Sequence, residues 1–108
     1  MKNQLKELNQ HLEGQLYDST LYKNLYATDA SVYRELPLAV SFPKTIKDLQ
    51  HLIRFATKHN TTLIPRTAGT SLAGQCVGSG IVVDVSRYFT KILHINTEHK
   101  TVTVQPGV

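Results

Sequence analysis

The stretch of this chain best equipped for chemistry runs from Arg66 through Thr67, Ala68, Gly69, Thr70, Ser71, Leu72, Ala73, Gly74 and Gln75 to Gly80. Four of these fifteen residues are glycines (Gly69, Gly74, Gly78 and Gly80), which tolerate positive φ and let a ligand reach backbone N–H groups unhindered. Successive N–H groups turned to one side form a nest for an anion, and phosphate suits such a nest. Thr70 and Ser71 add hydroxyl donors, and Arg66 adds a guanidinium fork for charge-assisted hydrogen bonds. The pattern is not a P-loop, which ends in Gly-Lys-Ser/Thr. It is not the dinucleotide fingerprint either: three residues separate Gly74 from Gly78, and no amphipathic helix follows. The same composition also suits a long structural turn, so the residues alone leave phosphate binding and plain chain reversal both open.

Other reactive side chains make weaker cases. Cys76, the one cysteine, lies among small and apolar residues, where a thiol is usually inert, and it rules out an intrachain disulfide. The five histidines lack metal spacing: His51 and His59 are eight apart on a predicted helix, and His94 and His99 bracket a predicted turn. Asp84, at the end of a strand, is placed to accept backbone hydrogen bonds from the following loop. Asp29, Ser31 and Tyr33 read as chain-turning and packing groups. No nucleophile, base and orienting partner fall together, so no catalytic residue is assigned and no metal is expected.

The loop needs elements to position it. Leu5, Leu8 and Leu12 predict a helix over 3–13, broken by Gly14, and Asp18 or Ser19 starts a second over 19–27. Tyr17, Tyr22, Tyr26 and Tyr33 crowd this region, as rings packing on a neighbouring layer do. Pro37 introduces a strand at 38–42 that Pro43 closes. Thr45 caps a helix to about residue 59, with Asp48 where a capping-box acid stands. Ile46, Leu49, Leu52, Ile53 and Ala56 fall within about 120° of arc and predict its buried face. A β-branched run at 62–64 completes a βαβ unit with parallel strands. Ile81–Val85 is an unalternating apolar run typical of a strand covered on both faces. Residues 92–95 and 101–104 flank Asn96–Lys100 as a hairpin. The fold class is therefore α+β: N-terminal helices over 1–36, then over 37–108 a βαβ unit with a small parallel sheet and a β-hairpin. The loop falls at the carboxyl end of a strand, where open α/β sheets bind ligands.

Composition narrows the partners. At 108 residues, 41% hydrophobic and 19% charged, the chain has ordinary globular make-up and one domain's length. No run approaches the ~20 apolar residues of a membrane span. The net charge of +4 comes from lysines and arginines spread along the chain, so no nucleic-acid partner is expected. The N-terminal residues are not a secretory signal, and the expected location is the cytoplasm.

The residues from Leu63 through Pro65 and Arg66 to Gly74 resemble the pyrophosphate loop of FAD-linked oxidases with the vanillyl-alcohol-oxidase/p-cresol-methylhydroxylase (PCMH) type of flavin domain. Asp29-Ala30-Ser31 with Tyr33, and Pro37-Leu38-Ala39-Val40 with Pro43, precede the loop as in the flavin-binding chain of glycolate oxidase and in FAD-dependent D-lactate dehydrogenases. Ile81–Ser86 and Val104-Gln105-Pro106-Gly107-Val108 are similar to the strands that follow it there. The resemblance spans residues 26–108. It implies that residues 37–108 are the first half of a PCMH-type FAD-binding domain, incomplete at the C-terminus. It maps the FAD pyrophosphate onto Arg66, Thr67, Ala68, Gly69, Thr70, Ser71, Gly74 and Gln75, with Pro106 and Gly107 approaching the cofactor.

The chain departs from the family pattern at Thr67 and Ala68, where many relatives have glycine, so positive φ does not carry over there. Relatives that bind flavin covalently through a histidine of this loop have it where Thr70 stands, which implies a non-covalent flavin. By resemblance the whole enzyme moves a hydride from a D-2-hydroxy acid such as lactate or glycolate to FAD. The rest of the flavin domain and a substrate cap then lie beyond Val108, and the whole enzyme is cytoplasmic or peripheral to a membrane. The 108 residues alone are expected to be inactive. Two other classes remain: a stand-alone phosphate- or nucleotide-binding module, and a structural or protein-interaction domain.

Overall fold

Thr45 accepts a hydrogen bond from Asp48 N on its side chain (3.2 Å) and so opens helix α3, Ile46–Lys58. The computed structural model describes residues 1–108. In chain order the other elements are α1 (Lys2–His11), β1 (Gln15–Tyr17), α2 (Thr20–Leu25), β2 (Ala39–Phe42), β3 (Leu63–Arg66), β4 (Ile81–Asp84), β5 (Ile92–Asn96) and β6 (Thr101–Val104). Ser19 caps α2, accepting from Tyr22 N.

Four strands form one sheet in the order β1-β2-β4-β3. β4 lies between the two strands of the βαβ unit and is parallel to both, pairing Ala39 with Ile81 on one side and Leu63 with Ile81 on the other. The strands that α3 connects are thus parallel, as expected, but not neighbours. β1 pairs antiparallel with β2 and lies where the sequence predicted only a break after α1. Its three residues are too few for a periodic signal, and only Leu16 is buried.

Side chains alternate across this sheet. Ala39, Ile81, Val83 and Val85 face one way and pack with Leu5 and Leu8 of α1 and Leu52 and Phe55 of α3. Val40, Phe42 and Val82 face the other way under Tyr17, Tyr22, Tyr26 and Ile64. Tyr17 and Tyr22 stack with ring centroids 4.1 Å apart, and Tyr17, Tyr22 and Tyr26 all meet Phe42 edge-on. Here the tyrosines serve as the layer that covers this face.

Helix α3 does not bury the face its periodicity predicted. Leu52 and Phe55 are buried, whereas Ile46 and Ile53 are 70% and 57% exposed. β3 is an edge strand, so the apolar stripe of α3 is wider than the sheet beneath it. Ile53 instead lines an open groove of about 340 Å³ with Leu49, Leu63, Pro65, Val83 and Pro106.

Asp48 is the buried polar centre of this half of the molecule. Its carboxylate accepts from Glu13 N (2.9 Å), Gly14 N (2.8 Å) and Lys44 N (2.9 Å). The sequence placed it as a local capping acid, but it also ties the α1–β1 connection to the start of α3, more than thirty residues away.

β5 and β6 form the hairpin the sequence suggested, a two-stranded sheet of its own with register Ile95↔Val102 and Asn96↔Thr101. Ile92, Leu93, Ile95, Val102 and Val104 are all exposed. The molecule is 51 Å long, and the radius of gyration is 15.0 Å against roughly 13 Å for a compact chain of this length.

The candidate cofactor-binding loop

β3 and β4 end side by side, with Arg66 opposite Asp84, and the chain between them leaves from the carboxyl end of β3 and returns to the amino end of β4. On the tyrosine-covered face, alternation puts Ile64 and Val82 inward and brings Arg66 and Asp84 to the rim. Asp84 is buried and accepts from Tyr26 OH (2.5 Å), Ser86 N (2.8 Å) and Ser86 Oγ (2.6 Å). It therefore closes the adjoining turn, as expected, and in addition holds Tyr26. Burial, then the hydrogen bond to Asp84 and its charge, push the Tyr26 phenol far above its ordinary range, with Arg66 and Arg87 pulling against them. Tyr26 thus stays protonated and donating. Tyr26→Phe should lower unfolding free energy by about 1.5 kcal/mol, the worth of a hydrogen bond to a charged acceptor. A urea titration showing no loss would contradict that role.

Within the loop, positive φ occurs only at Gly69 (69°) and Gly74 (75°). Thr67 and Ala68 have ordinary negative φ, so this chain forms its turn without glycine there. Gly78 and Gly80 do not use the freedom the sequence allowed them; at Gly80 a side chain would strike the carbonyl oxygen of Thr62.

The N–H groups of Thr67, Ala68, Gly69, Thr70, Ser71 and Leu72 donate to no group of the chain. Thr67, Ala68 and Thr70 are exposed and Gly69 is buried, so the turn packs against the protein at Gly69 while its neighbours face outward. Six consecutive unengaged N–H groups, with the unbonded hydroxyls of Thr67 and Thr70 among them, leave donors available to an anionic group with many acceptor oxygens. A pyrophosphate is such a group.

The other predicted site residues divide. Ser71 Oγ bonds the Gln75 side chain and accepts from Gln75 N (3.2 Å), so these two close the loop on itself. The Arg66 guanidinium donates to Thr28 O (2.7 Å) and Cys76 O (3.5 Å) and lies over the Tyr26 ring at 5.1 Å. Gly74 is packed against the Tyr33 ring. Gly107 N donates to Phe89 O (2.8 Å), and Pro106 lines the apolar groove beside Pro65. No hydrogen bond joins Pro106 or Gly107 to residues 67–75.

A family model described as an FAD binding domain matches residues 37–108. D-2-hydroxyglutarate dehydrogenase of Haemophilus influenzae is 38% identical over 102 residues, 92% of this chain and 10% of that protein. Glycolate oxidase subunit GlcD of Bacillus subtilis is 33% identical over 93 residues, 84% of this chain and 20% of that protein. Among solved structures, an alkyldihydroxyacetonephosphate synthase superposes with a TM-score of 0.82 at 19% identity, over 100% of this chain and 23% of that one. That likeness shows the fold. The chain spans between a tenth and a fifth of the length of these two curated relatives. No helix is long and apolar enough to cross a membrane.

Proposed function

This chain belongs to the FAD-binding domain family, and from that membership we propose that its 66–75 loop holds the FAD pyrophosphate in an oxidoreductase acting on a D-2-hydroxy acid. The observation that carries the reading is the run of unengaged N–H groups from Thr67 to Leu72, directly after the carboxyl end of the parallel strand β3. Thr67 and Thr70 offer hydroxyls to the same oxygens. Gly69 lets the backbone turn toward them, while Ser71, Gly74 and Gln75 keep the loop closed. Arg66 adds positive charge at the base of the loop, and Pro106 and Gly107 approach the cofactor from the far edge. Bound FAD would accept the hydride, and the chain supplies the pocket that seats it.

The substrate class follows from the relatives, whose names specify D-2-hydroxyglutarate and glycolate. All are 2-hydroxy acids, and lactate belongs with them. The flavin is non-covalent, since Thr70 stands where a histidine would form the bond. The groups that handle the substrate and its proton lie outside these 108 residues, which therefore bind FAD weakly and turn nothing over.

Titration of the chain with ADP, followed by amide NMR, should move the signals of residues 66–75 first. If ADP and FAD at millimolar concentration leave those amides unmoved, the reading fails. Dye reduction dependent on D-2-hydroxyglutarate, D-lactate or glycolate should be absent from the 108-residue chain. Turnover by this chain alone would refute the assignment of the chemistry to other parts of the protein.

A further inference from the structure

We infer that residues 28–33, bonded to the loop in part through Arg66, form a clamp that sets the geometry of the loop and so controls cofactor affinity, residues 28–33 themselves not touching the cofactor. The inference rests on the reading of the loop as a pyrophosphate site. It extends that site to residues outside the 37–108 region that the family model matches.

Four residues make the clamp. Ala30 N donates to Gly69 O (2.9 Å), holding the turn residue itself. Asp29 accepts Ser31 N on Oδ1 (2.8 Å) and Cys76 N on Oδ2 (3.3 Å). Arg66 reaches Thr28 O and Cys76 O with one nitrogen. Tyr33 packs against Gly74, whose positive φ and missing side chain leave room for the ring. Cys76 is thus gripped on both sides of its backbone, N–H by Asp29 and carbonyl by Arg66. The loop is held at its turn, at Gly74 and at its exit, and all three grips come from one short segment and one arginine. The loop's N–H groups at 67–72 are left out of the arrangement. A clamp that occupied them would compete with the ligand; this one fixes the peptide planes from behind.

The hydroxyl of Ser31 holds the Asp29 carboxyl below the usual carboxylate range, so Asp29 is charged at neutral pH. That charge makes the test sharp. By simple electrostatics, neutralising a carboxylate near an anion site strengthens anion binding. The clamp predicts the opposite.

Asp29→Asn separates the two bonds, because its amide oxygen still accepts Ser31 N while its NH2 faces the Cys76 N–H donor. We expect ADP to bind the Asp29→Asn chain about five- to tenfold more weakly than the wild type, with amide exchange faster at Gly69–Cys76 and the urea midpoint nearly unchanged. Asp29→Ser, which keeps the turn and lacks the second acceptor, should behave alike. Unchanged or stronger ADP binding in both variants overturns the clamp. If the wild-type chain itself does not bind ADP, the pyrophosphate reading fails. Amide exchange at Gly69–Cys76 still decides the clamp in that case: equal rates in wild type and variants overturn it, and faster rates in the variants support it.

Discussion

Replacing Asp48 with alanine should lower the melting temperature by about 15 °C, the larger of the two main effects expected from single changes. Three backbone N–H groups, of Glu13, Gly14 and Lys44, end on one carboxylate that is only 1% exposed. Alanine leaves all three donors facing a void. A hydrogen bond to a charged group is worth about 1.5–3 kcal/mol, and bonds sharing one acceptor do not add fully, so the loss is about 3–4 kcal/mol. Each kcal/mol moves the midpoint of a domain this size by about 4–8 °C. Thermal unfolding followed by circular dichroism measures this directly, and a fall below about 5 °C would refute the carboxylate's role.

The same site fixes an acid limb. Burial raises the Asp48 carboxyl, but the N–H groups of Lys44, Glu13 and Gly14 and the Thr45 backbone outweigh it and hold it below the ordinary range. A carboxyl depressed in the folded state contributes its full stability above its unfolded value, near pH 4, and loses it as pH falls through the folded value. The stability gap between wild type and Asp48→Asn should therefore be constant above about pH 5 and shrink below pH 4.

Gly69→Val should abolish detectable ADP binding while the sheet stays folded. At φ 69° a β-branched residue is strained by about 1–3 kcal/mol. Its Cβ would also run into the Arg66 guanidinium, at Nη2 and Cζ. The guanidinium is the flexible end of its side chain and moves aside, but in doing so it leaves Thr28 O and Cys76 O. Binding then loses the turn and the brace together. Calorimetric titration with ADP checks it, with far-ultraviolet circular dichroism as the folding control. Wild-type affinity in a folded Gly69→Val chain would show that the ligand does not use this turn.

Local signals in the sequence carried much of this structure. Thr45 caps α3, Ser19 caps α2, and Asn96–Lys100 turns the hairpin, because each rests on residues three to five apart. The loop was legible for the same reason: glycines, hydroxyls and an arginine fall within ten residues. What the pattern missed depends on distant partners. β1 is a strand only because β2 offers it a ladder, and Asp48 is a tie only because Gly14 returns beside it. The exposure of Ile46 and Ile53 follows from β3 lying at the edge of the sheet, a fact of strand order that helix periodicity does not carry. Arg66 stood out as a fork for the ligand. Its hold on two carbonyls of neighbouring segments shows only once the chain is folded.

Strand order also sets a timetable. Since β2 and β3 bond only to β4 among the parallel strands, no parallel ladder exists until the last of the three is made. When the chain has been made only as far as Arg66, β3 has no strand to pair with, because its one ladder is to β4. At roughly 5–20 residues per second, synthesis takes about 1–4 s more to deliver Asp84. Closing a span of this size is then a matter of microseconds or less. Residues 67–80 are the tether that swings the central strand home, and synthesis rather than closure of this tether sets the pace. The residues of the mature loop are thus also the link through which the parallel sheet is completed.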